Sequence, residues 1–459
     1  MTRLWRQSLV LGIGVLCVAG VGWGQDEAAP PPEHALTKAG AEEKKFYENI
    51  RRMVLRYGPQ EVAARAAQDG FGEAVGTRIA PILEAQFWGY CYSGDTAWLD
   101  RFVSIVDALM GKLGTDPDGR KGWFSGPDTK AFAARWPTTW PDGYTTAFQG
   151  QEARVCAAIV DLALLVKDKP ELRSKYGDKV DAWVRTIQDD ILPKWQKEGL
   201  LVGLSDDRAV FLYPARAMKQ GESGWVPFPG LLGEKDNITL PHPDQSDIAR
   251  LHLKLWQLTG DAEPRRLAAR LLRWQKSCLR PQQGDTYTWN FWDPSGDYDF
   301  RPVGGMAFSM YINPDPVQHL RDVEAFVEAY HSGVVIDDTD LKRLAATQTQ
   351  VMLQGDVERP KWVAPDGKKR GMLWAAMAEF DDRIEEAFMA GKDARDMDFG
   401  GPLRVLQEKP RWGGWKQRKL HGAEVIRWRN TFADYKKDMD ELIKSHPPPD
   451  PRKMLQQNK

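Results

Sequence analysis

The chain has 459 residues, 42% of them hydrophobic and 28% charged, the composition of an ordinary globular protein. Its 63 basic and 64 acidic residues leave a net charge of −1, which argues against a general nucleic-acid binder, since that would carry a basic excess. Of four cysteines, Cys17 lies in the N-terminal apolar run, and the remaining three permit one disulfide at most; the lack of a Cys-x-x-Cys pair argues against a structural zinc site.

Arg3 and Arg6 precede an uncharged apolar run from Leu9 to Val21. At about 13 residues the run fits the core of a secretory signal and is too short to span a bilayer. Residues 1–24 are therefore expected to be a signal peptide cleaved before Gln25, with the mature chain exported to the periplasm or beyond. Cys17 follows Val15-Leu16, which disfavours a lipid-modified cysteine. No later segment has the apolar length of a membrane span. Of the cysteines left, Cys156 lies in an apolar helical stretch and reads as a small buried hydrophobe. Residues 25–42, rich in Pro and Ala, and 446–459, rich in Pro and polar residues, are expected to be a disordered leader and tail. They flank one domain over 43–445, expected to be monomeric.

Within that domain one pattern recurs. An apolar helix ends at a Gly-containing turn, and an amphipathic helix follows. Thr77–Tyr92 leads through Ser93-Gly94-Asp95 into a helix to Leu113, and Ser246–Leu258 leads through Thr259-Gly260-Asp261 into a helix to Leu279. His319–His331 leads through Ser332-Gly333 into Asp340–Leu353. Glycine ends the first helix because it adopts the left-handed conformation cheaply, and Asp or Thr caps the second. Ala153–Val166 is apolar almost all round, as a helix surrounded by protein must be. Its partner carries Val180, Trp183, Val184, Ile187 and Ile191 on one face only. Alternating inner apolar and outer amphipathic helices predict an all-α (α/α)5-6 toroid. Its pairs fall near 43–68, 77–113, 151–195, 246–279, 319–353 and 371–390, and no sheet larger than a loop hairpin is expected.

The long connections, 114–150, 199–245, 280–316 and 354–370, all run from one pair to the next and so emerge on one rim. They hold Trp123, Trp136, Trp140, Trp225, Trp289, Trp292 and Trp362. Long loops in a compact domain are usually functional. The run from Tyr287 to Phe300 joins Trp289 and Trp292 to Asn290, Asp293, Asp297 and Asp299. Sugars present C–H faces that stack on aromatic rings and hydroxyls that need hydrogen-bond partners, so Trp289, Trp292, Tyr287, Asp293, Tyr144, Glu152 and Trp140 are candidate glycan-binding residues. The same rings would serve equally as plugs of the ring mouth. Asp293, Asp297 and Asp299 lack the glycine and terminal glutamate of an EF-hand loop; they read as solvated turn carboxylates, with calcium unsupported, and no cofactor is expected. His319 and Asp322 share one face of a helix start, an acid–base pair or a structural contact. His242 and Tyr311 occupy comparable loop-side positions. No Gly-x-Ser-x-Gly, phosphate-binding loop, dinucleotide fingerprint or His-Glu-x-x-His occurs.

The alternating hairpins, with their Ser-Gly-Asp and Thr-Gly-Asp turns, resemble the six-hairpin toroids of bacterial carbohydrate-active proteins, which include glycosidases and polysaccharide lyases. The stretch from His319 to Thr347 resembles a late hairpin of glucuronyl epimerases: a His before Asp-Val, then Ala-Tyr, Gly and Asp-Leu. That resemblance implies a polysaccharide substrate and carries over His319, Asp322 and Tyr330. The favoured reading is a lyase or epimerase acting on a uronic-acid glycan; on loop position and chemistry, Tyr311, His319 and His242 are its acid–base candidates and Asn290 the group neutralising the sugar carboxylate. A glycoside hydrolase would instead draw two carboxylates from Asp293, Asp322 and Glu152. The third reading is a non-catalytic glycan-binding toroid.

Overall fold

In the computed structural model, the described residues are 34–390, apart from 68–70, 116–118, 126–143, 198–199, 213–217, 222–223, 228–238, 283–284, 297–298, 300–315, 356–360 and 363–372. Helix dominates, and the fold is an all-α toroid of (α/α) hairpins. The first pair is α1 (Ala41–Val54) and α2 (Pro59–Ala66). Inner helix α3 runs through Phe71–Ala74, a π-helical turn Val75–Ile79, and Ala80–Ser93, and pairs with outer helix α4 (Ala97–Met110). Inner α5 (Gln149–Asp168) pairs with outer α6, which continues from Pro170–Thr186 through a π turn Ile187–Ile191 into Leu192–Lys197. Inner α7 (His242–Thr259) pairs with α8 (Ala262–Cys278), and inner α9 (Pro316–His331) with α10, Asp338–Ala346 extended by a π turn Thr347–Met352. The last pair is a 3-10 turn, Ala375–Met377, followed by α11 (Asp382–Ala390), shorter than a full hairpin.

The inner helices pack in chain order, α3 on α5, α5 on α7, α7 on α9, and α9 on the 375–377 turn. Turn chemistry explains the sharp ends. Gly94 and Gly260 sit at φ 72° and 78°, and each donates its N–H to a carbonyl four residues back, closing the inner helix. Asp261 caps α8 through the Glu263 N–H, and Asp337 forms a capping box with Asp340 on α10. Burial follows the two-layer pattern. Every residue of α7 from His242 to Leu255 is buried, whereas α8 buries only one stripe, Ala268, Leu271, Leu272, Trp274 and Gln275.

Three expectations need correction. The segment 25–42 is not disordered throughout, because 35–38 is helical and α1 begins at Ala41; His34 bonds the Cys91 carbonyl through Nδ1 at 3.2 Å. The loops build more than hairpins: 124–125, 144–147, 218–221 and 224–227 form a four-stranded antiparallel sheet in that order, joining two connections on the loop-bearing rim. Three of the loop tryptophans are not exposed rim groups either. Trp123, Trp289 and Trp292 are 0%, 3% and 2% exposed, and each indole N–H is satisfied internally, on the Leu109 carbonyl, Asp322 and the Thr239 carbonyl. The rings are plugs that tie the loops to the helices. The tail 446–459 and Trp136 and Trp140 lie outside the described residues. Among the described residues no helix is long and apolar enough to cross a membrane.

Candidate functional site

Inner helices α5, α7 and α9 each carry two polar stripes one residue out of step, about 100° apart at 3.6 residues per turn, and they meet different neighbours. On α7 one stripe is Asp244, Asp247, Arg250 and Lys254; on α9 it is Arg321, Glu324 and Glu328; on α5 it is Gln151, Arg154 and Asp161. Spacings of three, four or, from Arg154 to Asp161, seven residues put each set on one helix face. These faces meet. Arg321 bonds Asp247 through Nε at 2.7 Å and Asp244 through Nη2 at 2.6 Å, and Gln151 Nε2 donates to the same Asp244 oxygen at 3.2 Å. Arg154 pairs with Glu84 of α3 at 2.9 Å. Arg250 pairs with Glu324 and Glu328, each at 2.9 Å, and Lys254 with Asp161 at 2.6 Å.

Close backbone approach makes this possible. A Cβ on Gly76, in the π turn of α3, would overlap Gln151, and one on Gly150 would overlap the Asp244 side chain. Glycine at these two points lets α3, α5 and α7 come near enough for their polar ends to join.

Four cations (Arg154, Arg250, Lys254, Arg321) thus face six carboxylates (Glu84, Asp161, Asp244, Asp247, Glu324, Glu328) in a largely dry interior. Excess buried negative charge favours protonation. Burial outweighs Arg321, Arg154 and Arg250 at Asp247 and raises its pKa; burial likewise raises Asp161 against Lys254. At Glu84 burial pushes upward too, but Arg154 and Arg250 overcome it and the pKa falls. Asp247 Oδ1 and Gln151 Oε1, beside the Arg321 clamp, are among several buried acceptors without a hydrogen-bond partner, Gln149 Oε1 and Gln275 Oε1 being others. Buried polar atoms normally find one.

The second stripe holds the helix-borne residues singled out from sequence, Glu152, His242, His319 and Asp322, and it faces the outer layer and the loops. His242 stacks on Trp274 of α8 with ring centroids 4.7 Å apart, and its Nε2 meets Asp293 at 2.9 Å. Burial opposes the protonated ring, but Asp293 and Cys278 beside it raise the pKa to about 10. Asp293 also accepts from Arg280 and Asn290, each at 2.9 Å, so Asn290 is committed to the loop. Asp322 accepts from Ser246 at 2.7 Å and from the Trp289 indole at 3.0 Å, and burial lifts its pKa to about 6. His319 stacks on Trp289 at 4.3 Å, neither ring nitrogen makes a well-formed hydrogen bond, and burial, opposed by the neighbouring Asn290 backbone, drives its pKa down to about 3.

His319 and Asp322 therefore do not bond each other; Trp289 stands against both. Glu152 is fully buried and turns toward α6, accepting from Lys194 at 2.8 Å, Trp195 at 2.9 Å and the Trp123 N–H at 3.0 Å, which makes it an anchor between layers rather than a rim group. Tyr287 is 5% exposed and donates to Asp340 at 2.8 Å. Tyr330 donates to Asp338 at 2.7 Å, which fixes the short turn between α9 and α10. Asp293 and Asp299 are buried, not solvated; Asp299 gathers the Thr239 and Ser295 N–H groups and the Thr239 hydroxyl. Tyr144 opens the strand 144–147, while Tyr311, Asp297 and Trp140 lie outside the described residues. Sequence reading missed Asp244 as a clamp residue and Asp247, Arg321, Arg154 and Gln151 as a set. The signal available was the charged repeat at three- and four-residue spacing along helices otherwise apolar.

No protein-family model matches the chain, and neither does any curated protein. Among solved structures it is similar to an inactive variant of the α-1,6-mannanase GH76A of Salegentibacter sp. in complex with α-1,6-mannotriose. The identity is 12% and the TM-score 0.34, over 72% of this chain and 86% of that one. A likeness this loose transfers neither residues nor activity.

Proposed function

We propose that the chain is an exported, monomeric protein that binds a glycan at the loop-bearing end of its hairpin ring and hydrolyses it with two carboxylates. The observation that carries this reading is the Arg321 clamp on Asp244 and Asp247, beside the unpartnered oxygens of Asp247 and Gln151. Glycoside hydrolysis needs one carboxyl that holds its proton near neutrality and one that is ionised. Burial biases Asp247 toward the protonated form, which suits the general acid. Asp244, one helical turn nearer the loops and bonded by Arg321 and Gln151, suits the base or nucleophile. Residues three apart on a helix have Cβ atoms about 5–6 Å apart, within the range such carboxylate pairs span. Sugar hydroxyls would satisfy the unpartnered acceptors. Because Asp247 is fully buried, a glycan reaches it only when the helix ends at the loop-bearing rim part.

A lyase or epimerase has less support, because its histidine bases are both turned from the ring axis: His242 against Trp274 and His319 against Trp289. The test is a screen of the mature protein on neutral and uronic-acid polysaccharides. New reducing ends without ultraviolet-absorbing product support hydrolysis. An unsaturated product would overturn it in favour of a lyase, and binding without either signal would make the chain a glycan-binding toroid.

A further inference from the structure

Away from the ring axis, three ligand-type side chains converge between α7, α8 and the loop before α9. One nitrogen of His242, the sulfur of Cys278 and one oxygen of Asp293 all lie within 4.8 Å of one another. His242 opens α7, Cys278 ends α8, and the His242 N–H on the Phe291 carbonyl at 3.0 Å ties the loop carrying Asp293 to the start of α7. We infer that these three residues bind a divalent cation of the zinc class.

The donor set is the first argument. Imidazole, thiolate and carboxylate together suit zinc, which takes nitrogen, sulfur and oxygen at about 2.0–2.3 Å, and hard cations such as calcium avoid sulfur. Tetrahedral coordination at those lengths puts ligand atoms about 3.3–3.8 Å apart. The His242–Asp293 contact, at 2.9 Å, therefore opens slightly, while Cys278 Sγ, within 4.8 Å of both, closes by at most about 1 Å. The half-buried Cys278 is the member with room to move.

The surroundings are the second argument. Metal-binding carboxylates are held by outer hydrogen bonds to the oxygen that does not ligate. Asp293 has this arrangement: Oδ2 meets His242 at 2.9 Å, while Oδ1 accepts from Arg280 and Asn290, each at 2.9 Å. Trp274 fixes the imidazole plane from one side. Arg280 supplies positive charge to the far oxygen and so orients the carboxylate, leaving the near oxygen and the thiolate to neutralise the cation. Cys278 has no disulfide partner among the described cysteines, and a half-exposed thiol in an exported protein is protected from oxidation when a metal holds it. Three protein ligands leave one position for water.

Cobalt(II) is the probe, because a thiolate ligand gives it a charge-transfer band that oxygen and nitrogen ligands do not. Titrating the metal-free full-length mature protein with cobalt(II) is expected to raise that band to saturation at one equivalent, and excess zinc is expected to abolish it. Cys278→Ser is expected to lose the band and to weaken zinc binding at least 10-fold while keeping the wild-type circular dichroism. Asp293→Asn is the second variant, expected to keep the band but to need at least 10-fold more cobalt. No band in the wild-type protein, or a band that survives Cys278→Ser, would overturn the site. Because this site lies off the axis, either result leaves the hydrolase reading to its own test.

Discussion

Arg321 on one inner helix reaches Asp247 on the next through its Nε at 2.7 Å, and both side chains are almost wholly buried. A buried ion pair is weak evidence of net stability, but breaking one leaves a stranded charge that costs about 3–5 kcal/mol. Arg321→Ala is therefore expected to destabilise by about that amount, through Asp244 and Asp247 together. Urea unfolding of single and double variants would measure it. A double-mutant cycle with no coupling between Arg321 and Asp247 would remove the clamp from the account.

Trp289 is expected to behave as a core residue. Its ring is 3% exposed, packs on His319 and Trp374, and donates to Asp322. Trp289→Ala should cost about 3–5 kcal/mol, with a markedly lower melting temperature. A variant that melts like the wild type but loses glycan binding would restore the ring to the rim.

His252 and His319 make the fold acid-labile. Both rings are buried without a well-formed hydrogen bond at either nitrogen, and burial lowers their pKa values to about 4 and about 3. The unfolded chain binds protons more readily below about 6.5, so the stability these rings leave intact is fully present above that pH and is lost as pH falls toward 3–4. For His252 the difference is on the order of 3 kcal/mol. His252→Leu should flatten the fall in melting temperature between pH 6.5 and 4; an unchanged slope would show the ring is hydrated or partnered.

Asp322 acts with the opposite sign. Its folded pKa, about 6, lies above the unfolded value, so the native state holds the extra proton between about pH 4 and 6. Stability from this group falls as pH rises through that window and is level above it. Asp322→Asn should remove the fall, and the variant should gain stability relative to wild type at pH 7 compared with pH 4. Equal differences at both pH values would contradict the shift.

The hairpins were legible because local chemistry decides them: Gly94 and Gly260 must take positive φ, and a run such as Ala153–Val166 can only be surrounded by protein. The site was legible only as a set of helix ends. On α9 the pairs His319/Asp322 and Arg321/Glu324 are both spaced three apart, one stripe rotated from the other. Which of them faces the axis depends on the rotation of α9 against α7, fixed by tertiary packing that no local pattern encodes. The buried state of Trp289 and Trp292 was hidden for a related reason. A loop tryptophan looks the same in sequence whether its N–H meets solvent or, as here, Asp322 and the Thr239 carbonyl.

The most direct measurement is the turnover of Asp244→Asn and Asp247→Asn on whichever glycan the wild-type protein cleaves, read as reducing ends released. Each substitution keeps the side-chain shape and removes the ability to ionise. The account expects each to fall about 100-fold or more while circular dichroism and glycan binding stay near wild type. Wild-type turnover in either folded variant would contradict the proposal that these two carboxylates carry the chemistry.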